Sequence, residues 1–288
     1  MIKYFRMMRV HHYVKNVLIF LPCFFAGKMG NSVFLKKNLC AFIIFSFATS
    51  VVYIINDIKD KEIDKFHPIK KMRPIASGQI SVKKAIETAI ILFFGMFVLF
   101  FIEEINFAAL GCCLLYILIN LLYSFFGKNI PVLDVVLLGA GYLLRVLFGG
   151  CVSYIQVSSW LFLTVMCISF YLGLGKRHGE LKKAGGEVNE ECEHNEATRL
   201  VLSKYTLSYL EGQMYLCLGL GIIFYSLWAI ERLTALTYTV PLVVIICMKY
   251  NLLLIDTDGD PVNILYSSKS MMLLIGIYVI LISGILYH

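Results

Sequence analysis

Asn56-Asp57-Ile58-Lys59-Asp60-Lys61-Glu62-Ile63-Asp64 stands where a long apolar segment ends, and His67-Pro68-Ile69-Lys70-Lys71-Met72-Arg73-Pro74 follows it. If a helix continues past Asp57, then Asp57, Asp60 and Asp64 fall at relative positions 0, 3 and 7 on one face. Such a row offers hard oxygen ligands suited to Mg²⁺. Lys59, Lys61 and Lys65 alternate with the acids as in a plain solvated, salt-bridged helix. Against that, Asn56 and Asp57 close an apolar helix, where a bare charge is costly without a metal, a partner or a wet cavity. Pro68 and Pro74 stiffen the next stretch. Besides marking the membrane side, its Lys70, Lys71 and Arg73 can take phosphate oxygens that a metal leaves free, with Arg the better bidentate partner. The chemistry expected here is the handling of a diphosphate at a membrane surface.

Three further places carry polar groups in apolar surroundings. Arg9-Val10-His11-His12-Tyr13-Val14-Lys15-Asn16 opens the first apolar stretch. It reads either as an interfacial anchor, with Lys15 snorkelling, or as a substrate contact at a helix start that favours an anion. Neither histidine has the partners of a zinc ligand. Arg145 lies about eleven residues, or roughly 16 Å of helix rise, beyond Asp134. An arginine that deep is a functional hypothesis, facing a cavity or an acid, and Asp134 can line the same mouth. Tyr171-Leu172-Gly173-Leu174-Gly175-Lys176-Arg177 ends another apolar stretch. Its two cations suit a helix C-terminus and the cytoplasmic side, and its glycines let a backbone or a ligand approach closely.

The elements that must position these groups follow from composition. Of 288 residues, 59% are hydrophobic and 16% charged, which makes lipid the solvent for most of the chain. Nine apolar segments are read: Val14–Met29, Leu39–Ile55, Ala85–Ile102, Phe107–Phe126, Val132–Val152, Val157–Leu174, Leu207–Ile230, Leu233–Met248 and Met271–Tyr287. Each approaches the ~20 residues that span a bilayer. The first is the weakest, interrupted by Lys15, Asn16 and Pro22. The expected fold is all-α, a polytopic membrane bundle of about nine transmembrane helices forming one domain over 1–288. No cleavable signal is evident. With the N-terminus inside, most of the 26 Lys and Arg fall on one side, leaving Lys28, Lys36, Lys37 and Arg232 on the other. The positive-inside rule makes the first side cytoplasmic, so the chain is expected in the cell membrane with its catalytic loops at the cytoplasmic face. The net charge of +7 reflects that topology and attraction to membrane lipids, and nothing points to nucleic acid. The nine cysteines lack metal-site spacing and read as packing residues. Two long charged loops, about Ile58–Lys84 and Lys176–Thr206 with its acidic Gly185–Glu196, are expected to enclose the chemistry; a third, Lys249–Ser270, carries Asp256, Asp258, Gly259, Asp260 and Pro261.

These residues together resemble the UbiA superfamily of intramembrane prenyltransferases. Its first motif, NDxxDxxxD, is matched by Asn56, Asp57, Asp60 and Asp64. The second aspartate-rich motif of ordinary members is replaced by Lys176-Arg177-His178-Gly179-Glu180. That replacement is similar to the branch of decaprenyl-phosphate phosphoribosyltransferases. Arg9 with Val14-Lys15-Asn16, His67-Pro68 with Lys71 and Arg73-Pro74-Ile75-Ala76-Ser77-Gly78, Leu144-Arg145 with Gly149-Gly150, and Gly175-Lys176-Arg177 with Glu180-Leu181 also match it. The branch usually has Pro after the first Arg and Gln-Trp before Val-Lys-Asn, where this chain has Val10 and His12-Tyr13.

The resemblance implies transfer of 5-phosphoribose from 5-phosphoribosyl 1-diphosphate to a polyprenyl phosphate lipid, with release of pyrophosphate. It implies Mg²⁺ on Asp57, Asp60 and Asp64, with Arg73 beside them. Lys15, Lys71, Arg73, Arg145, Lys176 and Arg177 are implied phosphate-holding cations, and Asn16, Asn56 and Tyr171 further substrate contacts. Two alternatives stand beside it. A prenyltransferase acting on an aromatic acceptor would want acids where Lys176 to Glu180 stands. A small transporter lined by Asp57, Asp134 and Arg145 has no use for the metal triad. A homo-oligomer is compatible with each.

Overall fold

A computed structural model describes residues 2–66, 70–183, 200–255, 257 and 259–287. His67, Pro68, the Gly185–Glu196 stretch, Asp256 and Asp258 lie outside them. The described chain is helical throughout, beginning with α1 (Ile2–Met8), a 3₁₀ helix at Val10–Phe20, and α2 (Leu21–Phe25). Then come α3 (Ser32–Lys59), α4 (Lys61–Phe66), α5 (Val82–Ile102), α6 (Phe107–Phe125), α7 (Leu133–Ser153) and α8 (Ser159–Lys183). A 3₁₀ segment at Leu200–Lys204 leads to α9 (Leu207–Arg232) and another, Thr234–Thr239, to α10 (Val240–Leu254); α11 (Pro261–Ser267) and α12 (Lys269–Tyr287) complete it. Seven of these helices, and an eighth stretch made of the Thr234–Thr239 segment running on into α10, are long and apolar enough to cross a membrane.

The ninth expected span, Val14–Met29, has a different form. Its polar Lys15 and Asn16 and its Pro22 break the α pattern, and the chain runs as the 3₁₀ helix followed by α2. Eleven residues at the 3₁₀ rise cover roughly 22 Å and five at the α rise roughly 8 Å, together about the thickness of the hydrocarbon layer. So long a 3₁₀ run needs tertiary support. Gly149 on α7 allows it, because a Cβ there would stand 1.9 Å from the Ile19 carbonyl oxygen.

Polar side chains start the long helices. Asn31, Ser81, Asn106 and Thr206 cap α3, α5, α6 and α9 by accepting from backbone N–H groups inside the first turn. Close approach sets the packing inside the bundle: a Cβ on Gly139 of α7 would stand 2.6 Å from the Phe170 ring of α8. One core gathers Ile44, Phe45, Met96, Tyr116 and Phe148 between α3, α5, α6 and α7. Another gathers Tyr171, Leu210, Met214, Tyr250 and Ile264 around α8, α9, α10 and α11. Ile91 and Phe94 on α5 and Leu273 and Ile280 on α12 point outward, as an apolar solvent demands. The alternating helices bring Asp57, Asp60, Asp64, Arg73, Lys128, Lys176 and Asp260 to one end of the bundle, where charged groups from different elements pair.

Candidate active site at the charged mouth of the bundle

The expected row of three aspartates is divided by the backbone. α3 stops at Lys59 and α4 starts at Lys61, with Asp60 as the junction. The Lys59 ammonium turns to the Ser124 carbonyl and the Phe125 ring, and Lys128 takes Asp60 at 3.0 Å. Asp60 is thereby pulled to the α6 side, away from its two companions. Asp57 and Asp64, both buried, converge instead on one atom: Arg73 Nη1 donates to Asp57 Oδ1 at 3.1 Å and to Asp64 Oδ2 at 2.6 Å. Arg9 Nη2 donates to Asp57 Oδ1 at 2.5 Å, its guanidinium lying 4.8 Å from the Tyr53 ring centre.

That convergence tests whether the site suits Mg²⁺. Among the described residues no three His, Cys, Asp or Glu side chains gather to hold a metal alone. Mg²⁺ is commonly held by one or two carboxylates plus substrate phosphates, and two carboxylates sharing one cationic point are such a pair. The residues fit a divalent ion that a phosphate completes.

Lys15 and Lys176 flank Asp260, at 3.8 and 3.9 Å. Asn16 is buried between Ser46 and Arg145: its Nδ2 donates to Ser46 Oγ at 3.0 Å, and its Oδ1 accepts from Arg145 Nε at 2.9 Å. Arg145 also donates to the Gly141 carbonyl at 2.5 Å and to the Tyr116 hydroxyl at 3.1 Å, with the Phe45, Tyr116 and Tyr142 rings around its guanidinium. No carboxylate pairs with it among the described residues. Burial of the charge is offset by neutral acceptors and ring faces.

Arg177, expected among the substrate cations, points into the bundle. It is wholly buried; Nε donates to Asp134 Oδ2 at 2.5 Å, Nη2 to the Tyr123 hydroxyl at 2.9 Å, and Nη1 to Glu180. Tyr205 donates to the other Asp134 oxygen at 2.7 Å and accepts from Val132 N–H at 2.6 Å. Burial, then the Asp134 carboxylate, pushes the Tyr205 hydroxyl above its ordinary range. Tyr171 donates to Asn251 on α10. Lys71 is exposed in the short 3₁₀ segment Lys70–Met72, and Asn56 is half-buried. Reading the sequence missed Lys128, Tyr116, Tyr142 and the pairing role of Asp260. Tyr142 had a signal, since it lies three residues before Arg145 on one helix face; Lys128 had none.

The chain matches the UbiA prenyltransferase family over residues 17–274. A decaprenyl-phosphate phosphoribosyltransferase of Corynebacterium glutamicum is 30% identical over 232 residues, 78% of this chain and 66% of that protein. A Mycobacterium tuberculosis protein of the same name is 32% identical over 78% of this chain and 72% of its own length. A UbiA homolog from Archaeoglobus fulgidus, solved bound to GPP and Mg²⁺, shares the fold with a TM-score of 0.75 at 16% identity, covering 99% of each chain. With the matched residues taking in most of the helical bundle and the first acidic motif, the chain belongs to the UbiA prenyltransferase family.

Proposed function

We propose that this chain is a polyprenyl-phosphate phosphoribosyltransferase: it transfers 5-phosphoribose from 5-phosphoribosyl 1-diphosphate to a polyprenyl phosphate and releases pyrophosphate, with its site at the cytoplasmic face. The observation that carries the reading is the likeness to two phosphoribosyltransferases over 78% of the chain. The mouth agrees with it, gathering Asp57 and Asp64 around Arg9 and Arg73 at one place and Lys15 and Lys176 around Asp260 at another. A second carboxylate clamp, which a prenyl diphosphate donor would use, is replaced by Lys176 and its neighbours.

In the transfer, an oxygen of the lipid phosphate attacks C1 of the ribose. The C1–O bond to the diphosphate breaks and pyrophosphate leaves with the electron pair. The acceptor oxygen is already anionic near neutral pH, so no general base is needed, and positioning with charge stabilisation supplies the catalysis. Asp57 and Asp64 would hold Mg²⁺, which supplies Lewis-acid neutralisation of the departing diphosphate. Arg73 draws the two carboxylates together and would turn to the diphosphate oxygens once the ion takes the point they share, while Arg9 fixes Asp57 from the other side. Lys15 and Lys176 are the cations drawn together at the mouth, Lys71 is an exposed cation two residues before Arg73, and Asn16 orients Arg145. Asn56 precedes Asp57 at the end of α3, Asp60 is engaged by Lys128, and Arg177 and Tyr171 hold α8 against its neighbours.

The test is transfer of label from 5-phosphoribosyl 1-diphosphate to a panel of polyprenyl phosphates by the purified protein in detergent, with and without Mg²⁺. Label entering the lipid supports the reading. No transfer to any lipid phosphate, with activity from a prenyl diphosphate and an aromatic acceptor instead, refutes it.

A further inference from the structure

The loop ahead of α11 carries an acid to which the transfer chemistry assigns no role. Asp260 Oδ1 accepts from Val262 N–H at 2.9 Å, capping α11 with Pro261 in the first turn. That cap fixes the carboxylate, and its other oxygen, Oδ2, faces the Lys15 and Lys176 ammoniums. One lysine comes from the N-terminal 3₁₀ helix and the other from the end of α8, so nothing local brings them together. The loop is closely seated: Gly259 has φ +73°, and a Cβ on it would stand 2.3 Å from the Gly175 carbonyl oxygen and 2.8 Å from Lys176 Cα. At 3.8 and 3.9 Å the contacts are those of charges, longer than hydrogen bonds. An ammonium has three donors, so each lysine can face Asp260 and still serve a further acceptor. The side chains of Lys15 and Asp260 are each only 16% exposed. Lys176 is 30% exposed, so the two like charges are only partly relieved by water, and the carboxylate between them lowers the cost of holding them together.

We infer that Lys15 and Lys176 form a binding site for one phosphate monoester, and that Asp260 is an internal anion which keeps the pair assembled and competes with that phosphate for it. The inference rests on the phosphoribosyl-transfer reading, both of whose substrates carry such a group: the 5-phosphate of the donor and the phosphate of the lipid. Asp260 is a positioning residue, acting on substrate only through the lysines.

Asp260→Asn separates its two roles, since Asn caps a helix as well as Asp but carries no charge. Affinities of ribose 5-phosphate and of farnesyl phosphate are measured by calorimetry on the full chain in detergent. For one of the two probes, Asp260→Asn binds about three- to tenfold tighter, the size expected on removing a competing charge from a partly exposed ion pair. The same probe is lost from Lys15→Gln and Lys176→Gln, and its identity tells which substrate uses the site. Asp260→Ala, which removes cap and charge together, shifts affinity in the same direction. Unchanged or weaker binding of both probes by Asp260→Asn overturns the inference, as does a wild type that binds neither. Transfer activity is read separately: its absence counts against the reaction, whereas unchanged probe affinity counts against Asp260.

Discussion

Replacing Arg177 by Met should destabilise the bundle far more than it disturbs substrate binding. The guanidinium and Asp134 are both completely buried, 2.5 Å apart, and the same side chain reaches Tyr123 on α6 and Glu180 one turn along α8. It therefore ties three helices. Methionine replaces the aliphatic part of the side chain without the guanidinium, and leaves Asp134 with one hydrogen bond, from Tyr205, and no counter-charge. Removing one partner of a buried ion pair costs about 3–5 kcal/mol. Glu180 adds little, because its side chain is 25% exposed and can turn to water. At about 2–4 °C per kcal/mol for a chain of this size, the loss corresponds to a fall in Tm on the order of 10 °C. Asp134→Leu in the same chain removes the stranded charge, and the pair Asp134→Leu/Arg177→Met should recover most of the loss, because a buried pair replaced by apolar groups is often neutral. Thermal unfolding in detergent of the two single variants and the double gives the coupling energy, expected at about 3 kcal/mol or more, because each single variant strands a buried charge that the double removes. The transfer assay on the double variant, run below its Tm, should stay within about tenfold of wild type, less than the loss on removing a transition-state contact. If Arg177→Met melts with the wild type and binds ribose 5-phosphate at least tenfold more weakly, the reasoning is refuted and Arg177 is a substrate contact.

Gly149→Ala places a methyl 1.9 Å from the Ile19 carbonyl oxygen, and the backbone must move, so a loss of about 1–3 kcal/mol in thermal stability is expected. Gly111→Ala on α6, with nothing within 4 Å of the added carbon, should be neutral or gain up to about 1 kcal/mol from helix propensity. Asp57→Asn and Asp64→Asn should each lower Mg²⁺-dependent transfer on the order of 10²-fold or more, the scale of losing a group that stabilises developing charge. Asp60→Asn should fall short of that, because Asp60 is engaged by Lys128; equal losses in all three would show that the acids close on one metal. Burial alone would raise the Asp260 carboxyl, yet Lys15 and then Lys176 hold it below its ordinary range. A carboxylate with a depressed folded pKa stabilises above its unfolded pKa and loses that contribution as pH falls through the folded one. The Tm difference between wild type and Asp260→Asn should therefore be flat above about pH 5 and shrink below about pH 4.

Residues that act within one turn of chain are legible in the amino-acid sequence itself. The lipid-spanning segments follow from composition, and Asp57 and Asp64 still meet, through Arg73, although the single helix expected to align them is interrupted. Asp60 is different. Its direction is set by Lys128, 68 residues away, and by the backbone break that Lys59 accompanies when it turns to α6. The first apolar segment has the right length for a span but not its helix type, because the 3₁₀ form depends on Gly149 receiving it. Arg145 and Asp134 each stand out in the sequence as expensive groups in a membrane. The acid of that helix is paired with Arg177 of the next one, while Arg145 itself is satisfied by Asn16, Tyr116 and a carbonyl. Sequence identifies which charges need partners, whereas partner choice is a tertiary fact.

The adjacency of Lys176 and Arg177 shows why this matters for the chemistry. Consecutive residues on an α-helix diverge by about 100°, so two neighbouring cations cannot both meet the same small anion from one helix. α8 uses that divergence. Lys176 leaves the helix toward Asp260 and the mouth, while Arg177 leaves toward Asp134 and the interior. A phosphate at the mouth must draw its second cation from another element, and Lys15 on the N-terminal 3₁₀ helix is the lysine that shares a carboxylate with Lys176. The pairing also gives the buried arginine a purpose: by anchoring the last turns of α8 to α7 and α6, Arg177 fixes the position from which Lys176 reaches out. Stability and specificity at this end of the bundle are therefore divided between two adjacent side chains. Exchanging their types, Lys176→Arg with Arg177→Lys, should impair both, lowering Tm because a lysine lacks the fork that joins Asp134, Glu180 and Tyr123.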